Sequence, residues 1–489
     1  DRNMIVEHYS VDQGLPNNTV NCTLKDRDGF IWFGTWYGLC CFDGVKFKTF
    51  NKQEHDSDVP PRKIQRIVED KNGYIWVKTI DRKLYVFNKV TECFHAVYDD
   101  MKNYSENIQV IKLQNTAEGD VLLLTKDKNL LLAGVDEKGQ VTIKILFDSR
   151  NEINKHDYTL KHHVLCETEE YISWIGTDYK VAAVHKGSEL ASRPADFITS
   201  KINSGDKDSF TSFFEDGRKV WVGDRAGIFY SIDVRTGLVN RYVLSEIKGA
   251  ISNLLVTPAG YVYLSVAGQG TYEYDLAERR LQKINTEMND AMVTHAFIDQ
   301  YDKIWFHENE KALIYYDPLN HTAKRFPFTM FGKITTLYSE DAGERGLFFL
   351  SPAGEAWLFD REHAEMVYIN KLKQLSNDRA NQQFYHLMLD NDGVLWLSSA
   401  DEGVYCMNFP KKQFNLLSLS PQSVGQENYA TGVRALFQSK SGDIWVGTRW
   451  QSVYRMDRNG VTKHVFSTGD EHIGNVYHIM EDDKGNLWF

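Results

Sequence analysis

The residues of this chain best suited to chemistry are aromatics set beside charged groups in short turns. Trp36 with Tyr37, Asp178 with Tyr179, Arg225, and Arg449 with Trp450 each follow a short apolar run that carries a tryptophan. Flat aromatic faces pack on the C–H surfaces of pyranose rings, and fixed Arg and Asp groups bond hydroxyls, so this set fits a sugar-binding surface. Arg also pairs well with a carboxylate or sulfate on an acidic glycan. The competing reading makes these turns a rim that packs neighbouring repeats; Trp36 and Trp450 are the leading ligand candidates in the set.

Other chemistries find less support. DRDG at 26–29 and DNDG at 390–393 resemble the start of a calcium loop, but the later oxygen ligands such a loop needs fall on strand residues, which leaves turn chemistry. His162 and His163 are adjacent on an expected strand and so point to opposite faces, a poor start for one metal. His295, His386 and His478 are scattered over expected first strands, as channel-lining or packing residues. No HExxH, GxSxG or phosphate-cradling glycine loop occurs. Catalytic residues, metal ligands and a cofactor are therefore not expected. Cys22, Cys40, Cys41, Cys93, Cys166 and Cys406 lack a framework spacing and mostly fall in or beside expected strands, which favours free buried thiols over a disulfide in the first two units.

The elements that must position the turns are repeats. GFIWFGTWYGL at 29–39 returns as YIWVKTIDRKL at 74–84, KVWVGDRAGIF at 219–229 and DIWVGTRWQSV at 443–453. The anchors are Trp32, Trp76, Leu122, Trp174, Trp221, Tyr263, Trp305, Phe348, Trp396, Trp445 and Trp488, spaced 42 to 52 residues apart. Within a unit, TVNCTLKD, FIWFGT, LCCFD and KFKTF read as four strands between turn signals. An acidic residue opens the first turn and glycine closes it, as in Asp26 to Gly29 and Asp390 to Gly393. The tryptophan strand is apolar on both faces and must be covered on both, which radially stacked blades accomplish. Four strands per 40- to 50-residue period predict an all-β fold of tandem β-propellers.

Counting anchors predicts a seven-bladed propeller over 1–328, followed over 329–489 by three blades and part of a fourth of a second, incomplete propeller. The stop at NLWF, inside a second strand, reads as a fragment, and MIVEHYS at 4–10 as an orphan outer strand available to complete the last blade of a ring. The 56 basic and 67 acidic residues give a net charge of −11 with no long basic block, so nucleic acid is not an expected partner. Apolar runs such as VLLL at 121–124 are too short to cross a bilayer.

Residues 14–44, GLPNNTVNCTLKDRDGFIWFGTWYGLCCFDG, resemble the two-component-regulator propeller repeat, as do the units that begin at Val433 and Val476. That repeat typifies sensor regions of hybrid two-component systems of gut Bacteroidetes. The resemblance implies a periplasmic sensor that recognises oligosaccharides released from glycans and controls polysaccharide-utilisation genes. It further implies a homodimer formed through the full-length receptor, with the membrane anchor and histidine kinase activity in C-terminal parts absent from this chain. A propeller enzyme of lyase or lactonase type and a protein-interaction scaffold are the alternatives.

Overall fold

A computed structural model describes residues 5–51, 60–150, 160–176, 181–187, 195–196, 210–284, 293–308, 310–328, 337–369, 383–408, 432–449, 453–457, 462–466 and 474–489. Almost all regular structure in them is antiparallel strand, arranged as ten four-stranded sheets and one strand pair. The chain parts into two compact units, Asp1–Phe409 and Pro410–Phe489.

Sheet one shows the plan with Val20–Lys25, Ile31–Thr35, Gly38–Phe42 and Phe47–Phe50, paired in chain order. Sheets two to eight follow in chain order, their first strands being Ile64–Glu69, Val110–Asn115, Leu160–Glu167, Phe210–Glu215, Ile251–Val256, Val293–Ile298 and Tyr338–Asp341. The second strand is buried at every position, whereas the fourth is half exposed. This is the pattern of a blade stacked between two others, whose outer strand meets solvent. First strands touch one another in most neighbouring pairs of sheets of the first unit, so they form its inner wall.

The recurring turn and the tryptophan are one device. Asp70 Oδ1 accepts the backbone N–H groups of Asn72 and Tyr74 at 2.9 and 3.0 Å, while Oδ2 accepts the Trp76 indole N–H at 2.9 Å. Gly73 closes the turn at φ 87°, a conformation that favours glycine. The same carboxylate-to-indole bond joins Asp26 to Trp32, Asp216 to Trp221, Asp299 to Trp305, Asp390 to Trp396 and Asp482 to Trp488. A buried indole N–H needs an acceptor, and the turn that starts the strand supplies it. Where Leu122 and Tyr263 replace tryptophan, Thr116 and Thr257 replace the aspartate and accept the backbone N–H groups of Asp120 and Tyr261.

The first unit spans Asp1–Phe409. It holds nine four-stranded sheets, and the ninth comprises Phe384–Leu389, Leu395–Ser399, Val404–Asn408 and, as its outer strand, Ile5–Tyr9. The orphan N-terminal strand runs antiparallel to Val404–Asn408, with Ile5 opposite Asn408. Sheet nine then packs on sheet one through Phe33, Phe42 and Trp396, and through a buried 2.7 Å bond between the hydroxyls of Thr23 and Ser398. Spacing counts units but carries no information on which pair of sheets meets to close the wall; that is decided by face complementarity.

The second unit contains Val433–Gln438, Ile444–Thr448, Val453–Met456 and Thr462–Phe466 as one sheet, with the pair Met480–Glu481 and Leu487–Trp488 beyond it. All six cysteines are free thiols and five are buried. His162 and His163 fall on the strand Leu160–Glu167, as expected, while His478 lies outside any strand.

Candidate functional site

The turn between second and third strands lies beside the segment that leads into the next sheet. Lys63 N–H donates to Trp36 O at 2.9 Å and Ile80 N–H to Lys63 O at 2.9 Å; Val110 to Arg82 and Phe384 to Pro352 repeat the link. Trp36 and Tyr37 form the two-residue tip of such a turn, with the Thr35 hydroxyl accepting the Tyr37 N–H and donating to Gly38 O. They are 44% and 61% exposed, with Lys63 Nζ and the Arg62 guanidinium each 5.3 Å from the ring centroids. Two aromatics are thus presented beside two cations, neither of which sequence inspection singles out.

The other expected site residues do not join them. Arg225 is exposed in the corresponding turn of sheet five, which Asp224 braces through the N–H groups of Ala226 and Ile228. Arg449 is exposed in the second unit, its backbone N–H bonded to Gly432 O. Asp178, Tyr179 and Trp450 lie outside the described residues.

A second surface emerges from a feature that alternation alone does not reveal. The first strands of sheets one, two, three, five, six, seven and nine begin with a one-residue bulge against the second strand, at Val20/Cys22, Ile64/Arg66, Val110/Lys112, Phe210/Ser212, Ile251/Asn253, Val293/His295 and Phe384/His386. A bulge places two successive residues out of normal alternation and re-aims a side chain. The residue just past it is therefore the inner-wall position of each sheet. There the chain places Cys22, Arg66, Lys112, Ser212, Asn253, His295 and His386, largely a tier of polar and basic groups.

On sheets five to seven this tier borders a cavity of about 780 Å³, lined by Ile175 and residues 210–214, 252–255 and 295–298. Phe210, Phe213, Phe214 and Phe297 give it flat apolar faces; Thr211, Ser212, Ser252, Asn253 and His295 give it hydrogen-bonding groups. Thr211 and Asn253 are fixed by bonds to the next sheet, to Ile251 O and Val293 O at 2.7 Å each. Burial lowers the pKa of His295, so it is held as neutral imidazole; burial together with its cross-strand neighbour His295 does the same to His307. Burial pushes His386 down to about 4, with the Arg66 charge adding to it.

The acidic turn at Asp26 holds a cation of its own. Lys89 Nζ lies 3.1 Å from Asp26, 2.7 Å from Asp28 and 2.9 Å from Glu69, so an ammonium fills the one carboxylate cluster of metal-binding size among the described residues. That agrees with turn chemistry over a calcium loop.

The two component regulator propeller family model matches residues 14–37. Among solved structures, the extracellular domain attributed to a hybrid two component system of B. thetaiotaomicron is 15% identical, covered over 99% of this chain and 69% of its own, with a TM-score of 0.33. One attributed to a one component system of the same organism is 17% identical over 97% of this chain and 64% of its own, at 0.31. The virginiamycin B lyase of Staphylococcus aureus is 9% identical over 83% of this chain and 99% of its own, also at 0.33. No curated protein is significantly similar in sequence. No helix among the described residues is long and apolar enough to cross a membrane.

Proposed function

We propose, starting from the two component regulator propeller repeat at residues 14–37, that this chain is the extracytoplasmic sensing region of a hybrid two-component sensor. Its ligand is an oligosaccharide derived from a glycan, and its output is control of polysaccharide-utilisation genes. The observation that carries the ligand class is the cavity of sheets five to seven. Its volume of about 780 Å³ suits a short oligosaccharide, and its lining alternates phenylalanine faces with hydroxyl, amide and neutral imidazole groups. Such a lining rewards a molecule that is apolar on its ring faces and polar on its edges. Trp36 and Tyr37 form the second candidate contact surface.

Binding biases an equilibrium between signalling states of a receptor dimer, with the kinase and membrane anchor supplied by further segments of the receptor. The region itself recognises and does not turn over its ligand.

The test is a thermal-shift and calorimetry screen against defined oligosaccharides, with reducing ends assayed in parallel. A ligand present at a hundred times its Kd stabilises by about 2.7 kcal/mol, which gives a clear shift. Loss of that shift in Asn253→Leu places the ligand in the channel, and loss in Trp36→Ala places it on the turn face. Absence of a shift with every sugar overturns the proposal, as does catalytic release of new reducing ends.

A further inference from the structure

Several partly buried cations among the described residues are paired with carboxylates. Lys89 meets Asp26, Asp28 and Glu69; Lys186 meets Glu118 and Glu167; Lys303 meets Asp317; Arg361 meets Asp299 and Asp341. This is what desolvation demands, since an ammonium or guanidinium taken from water needs a counter-charge.

Sheet two breaks the rule at the inner wall. Lys78 is only 5% exposed, and its Nζ bonds the neutral side-chain oxygen of Gln65, the bulged residue of the first strand. Arg66, directly opposite Lys78 in the register, is exposed to the channel. Among the described residues neither forms an ion pair. Glu69 and Asp81, which flank these two strands, are committed elsewhere, Glu69 to Lys89 and Arg27, and Asp81 to Lys83 and the Thr79 hydroxyl. Lys112 occupies the Arg66 position on the next sheet, so a third cation enters the same field. Burial lowers the pKa of Lys78, with the charges of Arg82 and then Arg66 adding to it, and burial lowers that of Lys112. A chain of net charge −11 thus sets Arg66 and Lys78 side by side on its inner wall, neither of them in an ion pair among the described residues.

We infer that this wall binds an acidic group of the ligand, a carboxylate or a sulfate ester on an oligosaccharide, with Arg66 and Lys78 as its partners. The inference rests on the oligosaccharide reading above and narrows it to an acidic glycan fragment. Arg66 offers the planar fork that matches either anion, and Lys78 a point charge whose counter-ion the ligand supplies.

The experiment is calorimetry on the whole chain with four probes: a neutral, a uronate-bearing and a sulfated oligosaccharide of equal length, and inorganic sulfate. Each is titrated at low and at moderate salt into wild type, Arg66→Gln and Lys78→Met, with melting followed for all three proteins. The expected result is binding of an acidic sugar that weakens with salt and falls at least tenfold in each variant. Lys78→Met, which keeps the packing and removes the repulsion, melts no lower than wild type. Equal binding of neutral and acidic sugars, or acidic binding untouched by both variants, overturns the acidic assignment while leaving the oligosaccharide reading in place. Sulfate alone binding as tightly as the sulfated sugar makes this a small-anion site and overturns the sugar. Absence of binding by any probe overturns both readings. A Lys78→Met protein that melts far below wild type refutes the claim that its charge is uncompensated.

Discussion

Replacing Asp70 probes the device that recurs through the fold. Its side chain accepts three hydrogen bonds, two from the turn backbone and one from the Trp76 indole, and the residue is 2% exposed. Asp70→Ala strands all three donors. With each bond to a carboxylate worth about 1.5–3 kcal/mol net, and some relaxation of the turn, the loss comes to about 3–5 kcal/mol. Asp70→Asn keeps an oxygen for the turn and presents an amide N–H to the indole N–H, so it loses one bond and about 1.5–3 kcal/mol. Trp76 is fully buried, so Trp76→Phe adds the cost of its own cavity and is uninformative alone. The double-mutant cycle of Asp70→Asn with Trp76→Phe isolates the shared bond, and a coupling of about 1.5–3 kcal/mol is expected from urea unfolding followed by tryptophan fluorescence and circular dichroism together. A coupling near zero, or Asp70→Asn as stable as wild type, would refute the claim that turn and tryptophan act as one unit.

Three further outcomes follow from the same geometry. In the second unit Ser439 stands where other sheets carry aspartate, and the Trp445 indole N–H is buried without a partner, so Ser439→Asp should raise the stability of that unit by about 1 kcal/mol in a melt; an unchanged or lower melting point refutes the assignment. A Cβ added at Gly34 would lie 2.4 Å from Cys22 Sγ and 2.6 Å from Ile64 Cγ2, so Gly34→Ala should cost about 1–3 kcal/mol, and Cys22→Ala in the same chain should recover part of it. Burial, with the Asp341 charge second, raises Glu340 from 4.5 to about 7. The folded state thus binds the proton more tightly, so this stability is fully present below about pH 4.5 and is lost as pH rises through about 7. Glu340→Gln should therefore be more stable than wild type at pH 8, by about 1 kcal/mol once solvent screening is allowed for, and the advantage should vanish by about pH 5; a constant difference across that range would refute it.

What the sequence determined by itself was local and repeated. An aspartate followed by glycine specifies a turn from its own backbone bonds, a run such as Ile31-Trp32-Phe33 specifies a strand covered on both faces, and their recurrence specifies blades. The exposed aromatic pair of Trp36 and Tyr37 was legible too, because a two-residue turn leaves its side chains nowhere to be buried within the hairpin. Tertiary structure decided whatever depends on residues far apart in the chain. Trp76 is buried in one core cluster with Val110, Leu113 and Leu123 of sheet three. The cations beside Trp36 and Tyr37 arrive from the lead into the next sheet, and Ile5–Tyr9 chooses Val404–Asn408 across almost the whole first unit. The channel tier depends on a bulge, which shifts strand register by one residue and leaves no mark in alternation. Arg66 and Lys78 look like ordinary surface charges in the sequence; only the register that sets them side by side makes them a site.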